Sequence, residues 1–361
     1  MATTATTPVP PKKGRVLRII KRILQVVLAL VVLAAICGAA YQAIGNWRDA
    51  HRFPQEGRSV ELGAEFPNVS LNMECSGQGS PTVVLDTGLG VPAVGWNFVQ
   101  PEVAKFARVC SYDRAGYGWS TPGPMPRTSE EIVKELHALL TASGEKGPYV
   151  LVAHSFGGFN VRVYTKDYPA EVAGLVLVDT SHEDQESRMT GSLKTFMKNQ
   201  TAQVEFQKKV AKALIFFGIA RLTTGEEGPA NLPKSFLQEV KYLQLQPKFV
   251  DATVSELQNF SASADEVRAA GNLRERPLVV LTAGKEEDAK DLPKGLDKKD
   301  LDEFRKIWMN DLQVQEAHLS TRGKQVIVAD STHMIPFERP EKVIAAIREV
   351  CEAVKGQPAK P

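Results

Sequence analysis

Apolar residues fall along this chain in two regimes. The first is a single run over 23–43, interrupted only by Gln25, Tyr41 and Gln42. About 20 apolar residues suffice for a helix that crosses a membrane. From Ser59 onward the apolar residues come instead in short blocks, at 70–75, 82–86, 108–112, 149–153, 174–179, 277–282 and 325–329. Several of these are continuous Val/Leu/Ile runs rather than alternations, the pattern of strands buried on both faces of a parallel sheet. Helical spacing appears between them. Thr128 followed by Glu131 makes a capping box, after which Ile132, Leu136, Leu139 and Leu140 share one face. Pro340 and Glu341 open a last helix that carries Val343, Ile344 and Ile347. Alternating strands and helices predict an α/β protein with a doubly wound, mostly parallel sheet. The exception is 183–271, which has helical pattern, no good strand and too much length for a loop. It predicts a helical cap inserted over one edge of the sheet.

With 361 residues the chain can hold one large domain or two ordinary ones, and a net charge of +2 gives no indication of a nucleic-acid partner. The basic residues are unevenly placed, however. Lys12, Lys13, Arg15, Arg18, Lys21 and Arg22 crowd directly before the apolar run. That flank predicts a cytoplasmic tail over 1–22, an anchor over 23–43 and an exported domain beyond it. Gly38-Ala39-Ala40 offers a small-residue cleavage site, but the apolar stretch exceeds the roughly 7–15 residues of a signal peptide, which favours an uncleaved anchor. Cys37 makes a poor lipoprotein site because Ile36 precedes it. Residues 44–58 are polar, contain Pro54 and Gly57, and read as a linker to a catalytic domain over 59–357.

The stretch VAHSFGG at 152–158 sets one hydroxyl, Ser155, between Ala153 two positions before and Gly157 two positions after. Small-x-Ser-x-Gly between a strand and a helix is the signature of a nucleophile elbow. A plain strand-to-helix turn with a polar residue on it has the same look. No phosphate loop, dinucleotide fingerprint or Cys/His metal spacing accompanies it, and no cofactor is implied. Of the four cysteines, Cys37 lies in the anchor and Cys351 in the last helix, while Cys75 and Cys110 each end a strand-like run. Buried free thiols are an ordinary fate for such a pair.

Over about 58–354 the chain resembles the α/β-hydrolase family of serine hydrolases, esterases and lipases among them. The residues that carry the resemblance are PTVVLDTGLG (81–90), RVCSYDRAGYGWS (108–120), VAHSFGGFNVRVY (152–164), GLVLVD (174–179) and STHMIPFERPEKV (331–343), in the family's order. The resemblance makes Ser155 the nucleophile and His333, in the loop between last strand and last helix, its general base. Among the other histidines, His182 follows a strand end and is the reserve base. His154 should project away from the turn, His51 borders the anchor, and His137 and His318 lie in helical stretches. One oxyanion donor is implied at the amide of Phe156 and the other at Leu89 in the 87–90 turn, where Thr87 replaces the family's usual histidine.

The family takes its acid from either of two places. One is the loop after the 277–282 strand, here Glu287 with Asp288 beside it; the other is the end of the 174–179 strand, here Asp179. The rigid strand end favours Asp179. Asp113 and Arg114 are expected to pair and order the loop near the site. The family's sheet order sets Cys75 beside Cys110, which would allow a disulfide in an exported protein. A small-molecule acyl substrate follows, with a carboxylic ester as the default. Alternatives are a peptidase, thioesterase or lactonase with the same triad, or a catalytically silent binding module. Epoxide hydrolases and dehalogenases of the family carry aspartate where this chain has Ser155. In the cap, Leu214-Ile215-Phe216-Phe217-Gly218-Ile219 is expected to line an acyl pocket, to pack within the cap or to touch the bilayer.

Overall fold

The structure, a computed structural model, describes residues 13–225, 232–286, 290 and 292–356. Its strands are β1 (Arg58–Glu61), β2 (Ser70–Ser76), β3 (Thr82–Asp86), β4 (Arg108–Tyr112), β5 (Tyr149–His154), β6 (Val172–Val178), β7 (Leu278–Ala283) and β8 (Gly323–Val328). They form one sheet in the order β1-β2-β4-β3-β5-β6-β7-β8. The first two pairings are antiparallel and the remaining ones parallel.

The helices are α1 (Lys13–Arg52), α2 (Gln100–Val103), α3 (Ser129–Ser143), α4 (Gly157–Asp167), α5 (Gln185–Arg188), α6 (Gly191–Phe216), α7 (Ile219–Thr223), α8 (Lys234–Gln244), α9 (Pro247–Gln258), α10 (Phe260–Arg268), α11 (Lys298–Ile307), α12 (Gln313–His318), α13 (Ile335–Glu338) and α14 (Pro340–Lys355). Helices α5 to α10 occupy the insertion between β6 and β7.

Successive residues of a strand point to opposite faces, and β5 shows why its run has no polar interruption. Val150 and Val152 pack against Val343, Ile347 and Val350 of α14 on one side. Leu151 and Ala153 pack against Ile132 and Leu136 of α3 and Phe159 of α4 on the other. Both faces are covered, so each position must be apolar. Truncating a fully buried leucine such as Leu151 would cost about 2–5 kcal/mol.

Cys75 and Cys110 stand directly opposite one another in the β2–β4 register and are joined in a disulfide, their Cα atoms 4.1 Å apart. At the other end of the chain organisation, α1 does not stop where a linker was expected. It runs on through Arg52, because Gln42, Asn46 and Asp49 of its last turns engage Arg221 of α7. Only 53–57 of the 44–58 segment connects α1 to β1 without regular structure.

Candidate active site

Strand β5 ends at His154, and α4 begins at Gly157, so the chain must reverse direction over Ser155 and Phe156. Ser155 takes φ +53°, in the left-handed region that costs most residues steric energy. The glycine after the turn is forced by space. A Cβ at Gly157 would stand 2.8 Å from the carbonyl oxygen of Thr87 and 2.9 Å from that of Asp86, backbone that cannot give way. At Gly158 a Cβ would stand 2.4 Å from Cβ of Thr180. The elbow is wedged between the ends of β3 and β6. The amide of Ser155 donates to the Val178 carbonyl at 3.2 Å, and the Ser181 amide donates to the carbonyl of Ser155 at 3.0 Å.

Asp179 lies one residue beyond β6 and also has positive φ, +45°. Its carboxylate is buried and fully engaged. Nδ1 of His333 donates to Oδ2 at 2.6 Å, while Oδ1 accepts from Trp308 Nε1 and the Ala283 amide, both at 2.9 Å. Burial alone would raise the acid. The imidazole, the indole N–H and the amide outweigh it and hold the carboxyl below its ordinary value. Glu287 and Asp288, the competing positions for the acid, lie outside the described residues.

His154 projects from the turn under the loop that carries His333. Its Nε2 donates to the His333 carbonyl at 2.9 Å, and the two rings are 4.7 Å apart. A carbonyl only accepts, so the proton of neutral His154 sits on Nε2. Burial, and then the neighbouring His333, push its pKa down to about 3. The remaining histidines lie elsewhere. His182 is buried, its Nδ1 accepts from the Asp184 amide at 3.1 Å, and burial lowers its pKa. His137 stacks on Tyr168 with ring centroids 3.8 Å apart. His51 and His318 are exposed at helix ends.

The 87–90 turn comes up against the elbow from β3. A Cβ at Gly88 would sit 3.0 Å from Cβ of Ser155 and 3.1 Å from Nδ1 of His154. Arg114 holds this turn from behind. Its guanidinium donates to Asp86 Oδ1 at 2.8 Å, to the carbonyls of Thr87 and Gly88 at 2.8 and 2.9 Å, and to both oxygens of Glu256 at 2.9 and 3.0 Å. All five N–H groups of a buried arginine thus find acceptors. Tyr117 closes the far side, accepting from the Gly90 amide at 3.0 Å and donating to Glu256 at 2.6 Å. Arg114 thus fixes the carbonyls of Thr87 and Gly88 in the turn.

Asp113 and Arg114 therefore do not pair with each other, contrary to expectation. They are adjacent in sequence and point apart. Asp113 accepts from Asn72 Nδ2 and from the amides of Ala93 and Trp119. Arg114 finds its carboxylates at 86 and 256.

Three contributors had no warning in the motifs. Trp308 reaches Asp179 from the end of α11. The signal was there in Leu301, Phe304, Trp308 and Leu312, which recur at helical spacing. Arg162 and Glu316 lie behind Asp179. Arg162 is held in a two-pronged ion pair by Glu183, with Glu316 3.7 Å away. One cation faces two acids here, and burial raises Glu316 to about 8. A cavity of about 750 Å³ opens between α6, α9 and the 115–126 segment, and none of Ser155, Asp179 or His333 lines it.

The sequence profile of the Alpha/beta hydrolase family matches residues 83–346, and the chain belongs to that family. Among curated proteins it is similar to the uncharacterized protein YbdG of Bacillus subtilis, 25% identical over 164 residues, which are 45% of this chain and 49% of that one. The chain spans about half, or less, of the length of this and other curated relatives it matches. Among solved structures it is similar to a thermophilic esterase from Thermogutta terrifontis, with TM-score 0.55 and 24% identity over 82% of this chain and 98% of that one. An enol-lactonase from Burkholderia xenovorans has TM-score 0.53 and 15% identity over 80% of this chain and 98% of its own. At such identities the likeness is one of fold.

Proposed function

We propose that the chain is a membrane-anchored serine hydrolase that cleaves carboxylic esters through an acyl-enzyme. One observation carries the reading: a buried, ionised Asp179 holds Nδ1 of His333 at 2.6 Å, beside an elbow whose tip is Ser155. A serine hydroxyl is a weak nucleophile at neutral pH and needs a base next to it. With Nδ1–H committed to Asp179, His333 keeps Nε2 free to accept the Ser155 proton as Oγ attacks the acyl carbon. The imidazolium formed is stabilised by Asp179. Charge developing on the acyl oxygen meets the amides of Leu89 and Phe156, a reading supported by the Arg114 clamp on the 87–90 turn and by the position of Phe156 at the start of α4. His333 returns the proton to the departing alkoxide. Water, deprotonated by the same nitrogen, then adds to the acyl-enzyme, and Ser155 leaves with the proton.

The anchor reading is supported by α1, whose most apolar eighteen residues have mean hydropathy 2.7 and no burial within the protein. The basic tail over 1–22 favours a cytoplasmic N-terminus. The Cys75–Cys110 disulfide supports an exported domain over 59–357, since such bridges persist in oxidising compartments.

A series of p-nitrophenyl esters of graded chain length, with thioester and peptide controls, tests the substrate class. Turnover of esters that vanishes in Ser155→Ala is the expected result. Turnover of the thioester or peptide alone would contradict the ester assignment, and no turnover of any would favour the silent module.

A further inference from the structure

We infer that the corner between α6 and α7 is a lipid-contact surface, seated in the interfacial layer of the bilayer that α1 crosses. The inference rests on the anchor reading proposed above.

The corner docks on α1 at one level. A Cβ at Gly38 would fall 2.3 Å from the Phe217 carbonyl oxygen, and one at Gly218, whose φ is +70°, would fall 2.8 Å from the Gly38 carbonyl oxygen. The two glycines let the backbones meet. One turn further on, Arg221 donates to Asn46 Oδ1 at 2.7 Å and Gln42 Oε1 at 3.3 Å and pairs with Asp49. Positions 38, 42, 46 and 49 share a face of α1, and along it the partner groups change from backbone to polar side chains. Gly38 lies four residues, about 6 Å, on the apolar side of Gln42. Everything N-terminal of it on α1 that is large and apolar is exposed, a span that lipid covers in the anchor reading. The Phe217–Gly218 backbone is held at that depth.

The side chains of the corner match this depth. Ile215 and Ala220 turn inward onto Leu245 and fix the bend. The others face out: Phe216 is 61% exposed, Phe217 37%, Ile219 43% and Leu222 72%. Neither an acyl pocket nor cap packing accounts for them. Along α6 the apolar stripe continues back through Val210 to Phe206, 71% exposed, at helical spacing from Phe217. Lys209 and Lys212 border the stripe. Large exposed aromatics beside lysines on one helix are the mark of a surface lying at the headgroup boundary, and soluble surfaces rarely gather so many.

Nitroxide depth measurements on the full chain test the inference, with Cys37→Ser as background; Cys351 is buried. Labels are placed at Phe216→Cys and Leu222→Cys, with Leu30→Cys in the anchor and Arg322→Cys at the opposite end of the sheet as references. The vesicles are phosphatidylcholine with phosphatidylglycerol. Power saturation should show oxygen favoured over a water-soluble nickel chelate at 216, 222 and 30, and the reverse at 322. Nickel-accessible labels at 216 and 222 with a lipid-embedded label at 30 would overturn the surface while leaving the anchor standing. A nickel-accessible label at 30 would remove the anchor itself, and the surface with it. Protection of 216 and 222 from both reagents would mean that protein, such as a second copy of the chain, covers the corner, and would also overturn it.

Discussion

His333 Nδ1 lies 2.6 Å from Oδ2 of Asp179, and the other oxygen of that carboxylate is held by Trp308 and Ala283. The acid cannot rotate without breaking two further bonds, so it fixes both the tautomer and the plane of the imidazole. Asp179→Asn keeps the shape but can present an N–H to Nδ1, which favours the wrong tautomer. Steady-state kinetics should show turnover lower by about 10⁴-fold with KM little changed. Glu287→Ala should leave turnover intact; collapse there and not at Asp179 would reverse the assignment.

The Tyr117 hydroxyl bridges the Gly90 amide and Glu256, so Tyr117→Phe loosens the 87–90 turn without touching the nucleophile. Losing such a half-buried hydrogen bond costs about 0.5–1.5 kcal/mol of stability. Turnover should fall by roughly tenfold, equivalent to about 1.4 kcal/mol of transition-state stabilisation. A purely structural role would lower the melting temperature and leave kcat of the folded enzyme unchanged.

His154 gives the site a dependence on acid. Its folded pKa is pushed down to about 3, against about 6.5 in an unfolded chain. Between those values the unfolded state binds a proton that the folded state refuses. The stability this group contributes is therefore full above about pH 6.5 and lost as pH falls toward 3. His154→Gln keeps an N–H for the His333 carbonyl and removes the titration. Its melting temperature should fall less steeply between pH 6.5 and 4 than that of the parent, and parallel curves would contradict the assignment.

The Cys75–Cys110 bridge closes a loop with a sequence separation of 35. Constraint of the unfolded chain by such a loop amounts to about 3–4 kcal/mol. Replacing both cysteines by serine should lower the denaturant midpoint accordingly while kcat is retained, because neither sulfur approaches the elbow.

Much of the sheet was legible because β3, β5, β6 and β7 are continuous apolar runs, a pattern that burial on both faces imposes. Strand β1 was not, since only Val60 of its four residues is buried. Ser155 and His333 could be named because a tight turn and a strand-end loop constrain local residue types. The clamp on the 87–90 turn was illegible. Arg114 meets Asp86, Thr87, Gly88 and Glu256, and only tertiary folding brings residue 256 of the cap to residue 114. Asp113 and Arg114 do order the loops near the site, but through separate partners, because neighbours in sequence have side chains that diverge. Helix α11 was hidden by its charges, although its apolar stripe delivers Trp308 to the acid.

The most direct test of the central claim is active-site labelling with a fluorophosphonate, followed by peptide mass spectrometry. The full chain in detergent should carry one phosphonyl adduct on Ser155, abolished by Ser155→Ala and strongly slowed by His333→Ala. An adduct on another residue, or no adduct on well-folded protein, would contradict the account.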